Sequence, residues 1–428
     1  MIKKGIVYFK AVLFFVKSLL LIFLLLSSVG NILVAQGTAN DTAKVSFWNK
    51  DQADVSDLYR LVFNRPLTKQ PDTCKKNLQD TAHKRLGPFY TPMLYPGYQM
   101  VTGFFAGFIS NVSFYTHRSE DAKISTILIN DMYSQYKQLL NIVNSNVWLW
   151  NESVNLVGDW RYYQYPTHTF GLGSKTSLSN IDAVDYSMIR IYEVALGKIA
   201  DNFLGGAGIN YDYYWNITET KQSPSIVTDL DKYGLTKSSV SSGFTLNLQY
   251  DNRLNANNPA KGTFIYFQYR DNLTAFGSTS NWQSLLLDAR EYIRTSKKSG
   301  NVLALWSYTW LTLSGTPPYF DLPTTGKDAY NNTARGYVEG RFSGRNLIYA
   351  EAEYRFRILR NGLLGGVLFS NASTVSGWPG SSFERINPGN GFGLRIKLNK
   401  SSATNLCLDY GFGTGGSRGF AFNLNEVF

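Results

Sequence analysis

The chain has 428 residues, of which 15% are aromatic and only 17% charged, with a formal charge of +11. That length leaves one to three domains open. Beyond residue 35 no long apolar stretch remains, which excludes membrane spans built from helices, and no basic cluster interleaved with aromatics points to nucleic acid.

Taken from the N-terminus, Lys3, Lys4 and Lys10 form a basic head, and an apolar run from Ala11 to Leu26 follows, broken by Lys17 and Ser18. Val34-Ala35 then offers a small residue at a cut, with Gln36 as the first mature residue. This is the pattern of a secretory signal over residues 1–35. The break at Lys17 leaves the run short of the roughly 20 residues that a spanning helix needs. Residues 36–88 are polar and too few for a sizeable core, and are expected as a short periplasmic extension or plug. Within them, Asp54 to Phe63 predicts an amphipathic helix with Val55, Leu58, Leu61 and Val62 on one side. Two readings stand for it: a brace or plug at the periplasmic mouth, or a loosely held leader. Cys74 and Cys407 are far apart, and nothing in the sequence settles whether they pair.

From residue 89 onward the pattern alternates apolar with polar residues, the two-residue period of a strand. Sixteen strands are expected, starting near 91, 103, 123, 138, 153, 185, 202, 240, 262, 280, 300, 345, 363, 389, 404 and 418. In 345–358, Ile348, Ala350, Ala352, Tyr354, Phe356 and Ile358 oppose Arg345, Tyr349, Glu351, Glu353, Arg355 and Arg357. A β-sandwich puts such a charged face in water; a transmembrane barrel puts it in the lumen and gives the apolar face to lipid. Export, strands long enough for a tilted span, and a last strand with Phe420, Phe422, Leu424 and Phe428 on one face favour the barrel. The fold class is therefore all-β, a transmembrane antiparallel barrel over 89–428, closed by a strand ending at Phe428. Long connections follow odd-numbered strands, at 166–184, 217–239, 314–344 and 376–388, and short ones follow even-numbered strands. An even strand count also places both termini on the periplasmic side. Removing Lys3, Lys4, Lys10 and Lys17 with the signal lowers the charge by four, from +11 to +7. The excess fits a mildly basic lumen or rim, or an anionic partner.

Little points to catalysis. The histidines His83, His117 and His168 include no pair at metal-ligand spacing, and no metalloprotease, phosphate-loop or nucleophile-elbow motif is present. Gly411, Gly413 and Gly416 match G-x-G-x-x-G, but a strand end and turn surround them, not a nucleotide-binding helix. His168 falls in an expected outer loop, with Asp159 on the strand before it; a hydrolase can use such a pair, but most loop histidines are simply solvated. No cofactor and no metal are expected.

A different set of residues is informative. The long connection 314–344 carries Ala334-Arg335-Gly336-Tyr337 and then Gly340-Arg341-Phe342-Ser343-Gly344. The next strand has Glu353-Tyr354-Arg355-Phe356, and the one after it Phe369-Ser370-Asn371-Ala372-Ser373. Earlier stands Asp251-Asn252-Arg253, followed by Asn258-Pro259-Ala260-Lys261-Gly262, and near the end Asp409-Tyr410-Gly411. In this order the chain, from about residue 90 and most clearly from 240, resembles the BamA/TamA superfamily of outer-membrane proteins, also called the bacterial surface antigen family.

The resemblance implies that the loop tip Arg335, Gly336, Tyr337 folds back into the lumen and that Arg335 pairs with Glu353. A planar guanidinium holds a carboxylate bidentately where lysine does not. The plain alternative is a solvated loop arginine. Where the family has an aspartate this chain has Asn371, which hydrogen-bonds but cannot neutralise, so a weaker lock is implied. Residues 36–88 are too short for the periplasmic repeat domains usual in the family. A seam between first and last strands is the family's proposed lateral gate. Here Pro92, Pro96 and Gly97 fall on the first strand and Gly419 and Phe428 on the last, and proline removes ladder donors; the plain alternative is that these prolines merely guide entry into the barrel. The reading is an outer-membrane barrel acting in membrane-protein insertion or translocation, without covalent chemistry. It would be monomeric, surrounded by outer-membrane lipid, with unfolded outer-membrane proteins as clients or a separate periplasmic partner. A structural or channel barrel that has lost insertase activity is the runner-up, and an outer-membrane hydrolase the third.

Overall fold

The structure, a computed structural model, describes residue 47 and residues 52–63, 87–99, 103–119, 122–220, 227–234, 236–295 and 300–428. The expected signal segment, Gln36, Cys74 and His83 lie outside the described residues. Met1–Ser46 form one unit of the chain and Phe47–Phe428 another, and only the second is described here.

A short helix, α1 (Val55–Val62), precedes the strands. The strands are β1 (Phe89–Gln99), β2 (Gly103–Phe114), β3 (Ser125–Ser134), β4 (Leu139–Leu149), β5 (Val154–Thr169), β6 (Asp182–Ala200), β7 (Phe203–Thr220), β8 (Ser238–Asp251), β9 (Gly262–Asn272), β10 (Trp282–Arg294), β11 (Val302–Gly315), β12 (Asn346–Arg357), β13 (Leu364–Ser376), β14 (Asn387–Asn399), β15 (Thr404–Gly413) and β16 (Arg418–Leu424). One turn of helix, α2 (Asp229–Tyr233), lies between β7 and β8. Each strand pairs antiparallel with its neighbour in sequence, from β1 through to β16. All sixteen starts fall within three residues of the positions that alternation predicts.

Burial is inverted relative to a water-soluble sheet. The apolar row Phe244, Leu246 and Leu248 is exposed, whereas its alternates Thr245, Asn247 and Gln249 are buried. On β12, Ile348 and Tyr354 are exposed and Tyr349, Glu351, Glu353 and Arg355 are buried. Polar side chains fill the inside and apolar ones form the outer belt, which is the barrel arrangement and not the sandwich.

The connections sort into a long-loop end and a short-turn end. The longest connection, 316–345, follows β11, and the shortest, 201–202, follows β6. At the short-turn end α1 is docked. Its Asp54 and Asp57 make a reciprocal capping box. Lys400 in the β14–β15 turn places Nζ 2.7 Å from Asp57, and the Ala53 N–H donates to the Asn361 carbonyl in the β12–β13 turn. Leu58 and Leu61 pack with Leu359 and Leu363. The helix thus contacts the β12–β13 and β14–β15 turns.

Two expectations need correction. His168 is not in a loop, because β5 continues to Thr169, pairing His168 with Ala183 of β6. The last strand does not reach Phe428. It ends at Leu424, and Asn425 takes a left-handed φ of 77° that turns the tail inward. Phe420 and Phe422 face outward, but Val427 and Phe428 are buried. The physical reason lies in Glu426. Its position continues the outward row, where a carboxylate would meet lipid at a cost of kilocalories. Cys407, on β15, is a free and buried thiol.

Candidate functional site

The interior is crossed by the β11–β12 connection, which is tied to two opposite parts of the wall. On the β5–β8 side, Arg161 donates to the carbonyls of Asp328 and Ala329 and to Asn331 Oδ1. The Ser241 hydroxyl donates to Asp321 at 2.6 Å, and Phe320 stacks on Tyr214. Within the loop, Asp328 accepts from the Asn332 and Thr333 N–H groups, so one carboxylate shapes the turn that precedes the tip.

On the other side sits Arg335. Its Nη1 is 2.5 Å from Asp409 of β15, and its Nη2 lies 2.5 Å from Glu353 and also contacts Glu351, both of β12. The guanidinium lies 3.8 Å over the ring of Phe369 on β13. Burial opposes the Arg335 charge, but Glu351, Glu353 and Asp409 overcome it and hold the group protonated well above its ordinary range. Asn371 donates to the Arg335 backbone carbonyl at 3.1 Å and to Glu351 at 3.5 Å. It therefore holds the tip's main chain, while the charge is met by three carboxylates.

The rest of the tip fits because two glycines permit it. Gly336 has φ 98°, and a β-carbon there would lie 2.8 Å from the Phe412 nitrogen. Tyr337 covers Gly413 and donates its hydroxyl to the Pro388 carbonyl at 2.6 Å. The structure thus brings together Arg335, Gly336, Tyr337, Glu353 and Asn371.

The motif-based reading left out the ionic network behind Arg335. Arg395 of β14 bonds Asp409 at 2.5 Å and Glu426 at 2.7 Å, and Arg355 of β12 bonds Glu353 at 2.6 Å. Against burial, which alone would raise it, Arg395 and Arg355 hold the Glu426 carboxyl below the usual carboxylate range. The Phe428 ring stacks on Trp306 at 5.1 Å, and its backbone oxygen accepts from Arg355. Inward parity marks Glu351, Asp409 and Arg395 in the sequence; the inward turn of the tail is what parity alone does not reveal.

The seam residues divide. Pro92, Pro96 and Gly97 lie on edge strand β1, opposite Ser110, Ala106 and Phe105 of β2. Gly419 lies on edge strand β16, opposite Gly411. Phe428 is away from the edge, in the lumen. Among the described residues no backbone ladder joins β1 to β16. The sheet ends meet instead through side chains, with Asn111 of β2 donating to Thr404 at 3.0 Å and to Asn425 at 3.2 Å.

Comparison with known proteins bears on this geometry. The Omp85 superfamily domain matches residues 126–428. Among solved structures, the chain is similar to BamA from Haemophilus ducreyi lacking POTRA domains 1–3, at 13% identity and TM-score 0.51, over 78% of this chain and 69% of that one. It is similar to CdiB from Acinetobacter baumannii at 14% identity and TM-score 0.50, over 79% and 60%, and to CdiB from Escherichia coli at 8% and 0.50, over 80% and 61%. At such identities the likeness is one of fold, and the chain spans about three fifths of either CdiB chain. No curated protein matches it.

Proposed function

The chain belongs to the Omp85 superfamily, and on that footing we propose that it inserts proteins into the bacterial outer membrane or passes them across it, without covalent catalysis. Barrels of this superfamily reside in that membrane, so the exposed outer row typified by Leu246, Leu248, Phe392 and Phe422 meets lipid. In this reading residues 1–35 are removed on export, and the short-turn end, with α1 and both ends of the barrel chain, faces the periplasm. Clients are unfolded outer-membrane proteins, reaching the barrel directly or through a separate periplasmic partner.

The observation that carries the reading is the edge between β1 and β16. Every other neighbouring pair is laddered, as in β8 with β9 from Gly243↔Asn272 to Asp251↔Phe264. Unpaired backbone groups facing lipid cost several kcal/mol each. A barrel that leaves such an edge open must cover it or use it. The 316–345 loop is tied to opposite sides of the inner wall, and in this reading that disfavours a plain pore. Depletion of the protein followed by a census of outer-membrane proteins tests the reading. Selective loss of barrel or surface proteins is expected; an unchanged census contradicts it.

A further inference from the structure

The connection between β8 and β9, residues 252–261, lies halfway along the strand order from either end of the sheet. An ordinary turn there would stay on its own wall. This one reaches both sheet ends. The Asn257 side-chain amide donates to Ser113 Oγ, at the end of β2, at 3.1 Å. The same nitrogen donates to the Ser402 carbonyl, in the β14–β15 turn, at 3.1 Å. Its backbone carbonyl accepts from the Glu426 N–H at 2.8 Å, where the tail enters the lumen. Asn257 is 2% exposed, and Ser113 and Ser402 are both fully buried.

The turn is built to hold that tip in place. Asn255 accepts from the Asn257 and Asn258 N–H groups and donates to the Ser402 carbonyl. At its root Arg253 forks onto Asp251 and lies 4.2 Å over the Phe264 ring. Lys123, before β3, donates to the Asp251 carbonyl. Ser113 also accepts from Asn111, whose amide reaches Thr404 and Asn425. Asn257 and Asn111 therefore bridge the first hairpin to the last at the short-turn end, where no ladder does so among the described residues.

We propose that the 252–261 turn is a strap that clamps the β1/β16 edge at the short-turn end, with Asn257 as the positioning residue. The strap is held by two uncharged hydrogen bonds from one buried amide. They also release without leaving a charge unpaired. Withdrawal of Asn257 frees Ser113 from Ser402 and unpins the tail at Glu426 in one movement. The inference deepens the proposed use of this edge and rests on that reading for its biological meaning, though not for its measurement.

The test places one spin label on β1 and one on β16 near the short-turn end of the full-length protein in lipid vesicles, with both native cysteines changed to serine. Asn257→Ala is expected to shift the label distance longer and to broaden it, with the compact migration of a folded barrel retained on unheated gels. Asn258→Ala, whose side chain makes none of these bonds, is expected to leave the distance unchanged. If Asn257→Ala does not fold, Asn257→Asp keeps the shape, removes both donors and is expected to give the same shift. A folded variant with an unshifted distance overturns the strap. A shifted distance in a protein that still works with β1 and β16 crosslinked retains the strap and overturns only the proposed use of the edge.

Discussion

Gly336 and Gly411 meet backbone to backbone: a β-carbon on Gly411 would lie 2.7 Å from the Gly336 Cα. The loop tip is seated on the barrel wall without side chains between them, which sets Arg335 within reach of Glu351, Glu353 and Asp409 at once. Gly411→Val is expected to unseat the tip, since overpacking of this kind costs about 1–3 kcal/mol. Limited proteolysis of 316–345 in vesicles checks it, and cleavage should become faster while the barrel stays folded.

Arg335→Ala removes the loop cation that contacts Glu351, Glu353 and Asp409. Breaking a buried pair this way costs about 3–5 kcal/mol. The expected outcome is a lower temperature for loss of compact migration and a higher single-channel conductance as the loop leaves the lumen. Arg335→Lys is expected to recover little, because an ammonium does not span the three carboxylates with a planar fork.

Docking of the loop is also expected to depend on pH. Burial pushes the Asp321 carboxyl up to about 7, with Asp212 adding to the rise. An undocked loop would expose the same group at its ordinary value, near 4. Its contribution to docking is therefore full below that value and is lost as pH rises through about 7. Proteolysis of the loop should be slower at about pH 5 than at about pH 8, and Asp321→Asn should remove the difference. The same difference in the Asn variant contradicts this assignment.

The tail supplies a further prediction. Phe428 fills the space beside Trp306 and Tyr292, and truncating a buried aromatic costs about 3–5 kcal/mol. Phe428→Ala is expected to lower heat stability by that order. Phe422→Ala, on the outer face, should cost less. Equal losses contradict an inward tail.

Much of this architecture is legible in the sequence because a strand with one side in lipid and one in a polar lumen must alternate. That constraint places all sixteen strands, and by parity alone it points Glu351, Glu353 and Arg355 inward. The loop tip is legible for a different reason, since Arg335-Gly336-Tyr337 combines a fork-shaped cation with a residue able to take positive φ. The Asn371 substitution suggests a weaker lock by itself. Asp409, contributed by a strand far along the chain, supplies a carboxylate that no local pattern could assign to Arg335. The tail misleads because Phe428 has the parity of Phe420 and Phe422. Two signals argue otherwise: Asn425, a residue type that tolerates the left-handed region, and Glu426 at a position that would face lipid. The reach of Asn257 across the short-turn end has no signature in periodicity at all, since a polar turn looks the same whether it is solvated or buried.

The edge between β1 and β16 is expected to open in use. Its most direct measurement is a disulfide joining these two strands, in a protein with Cys74→Ser and Cys407→Ser so that no other pairing competes. Complementation of a deletion strain should be lost under oxidising conditions and return with reductant, with the barrel folded in both. Full complementation by the oxidised, fully crosslinked protein would contradict the account and leave a structural or channel role for the barrel.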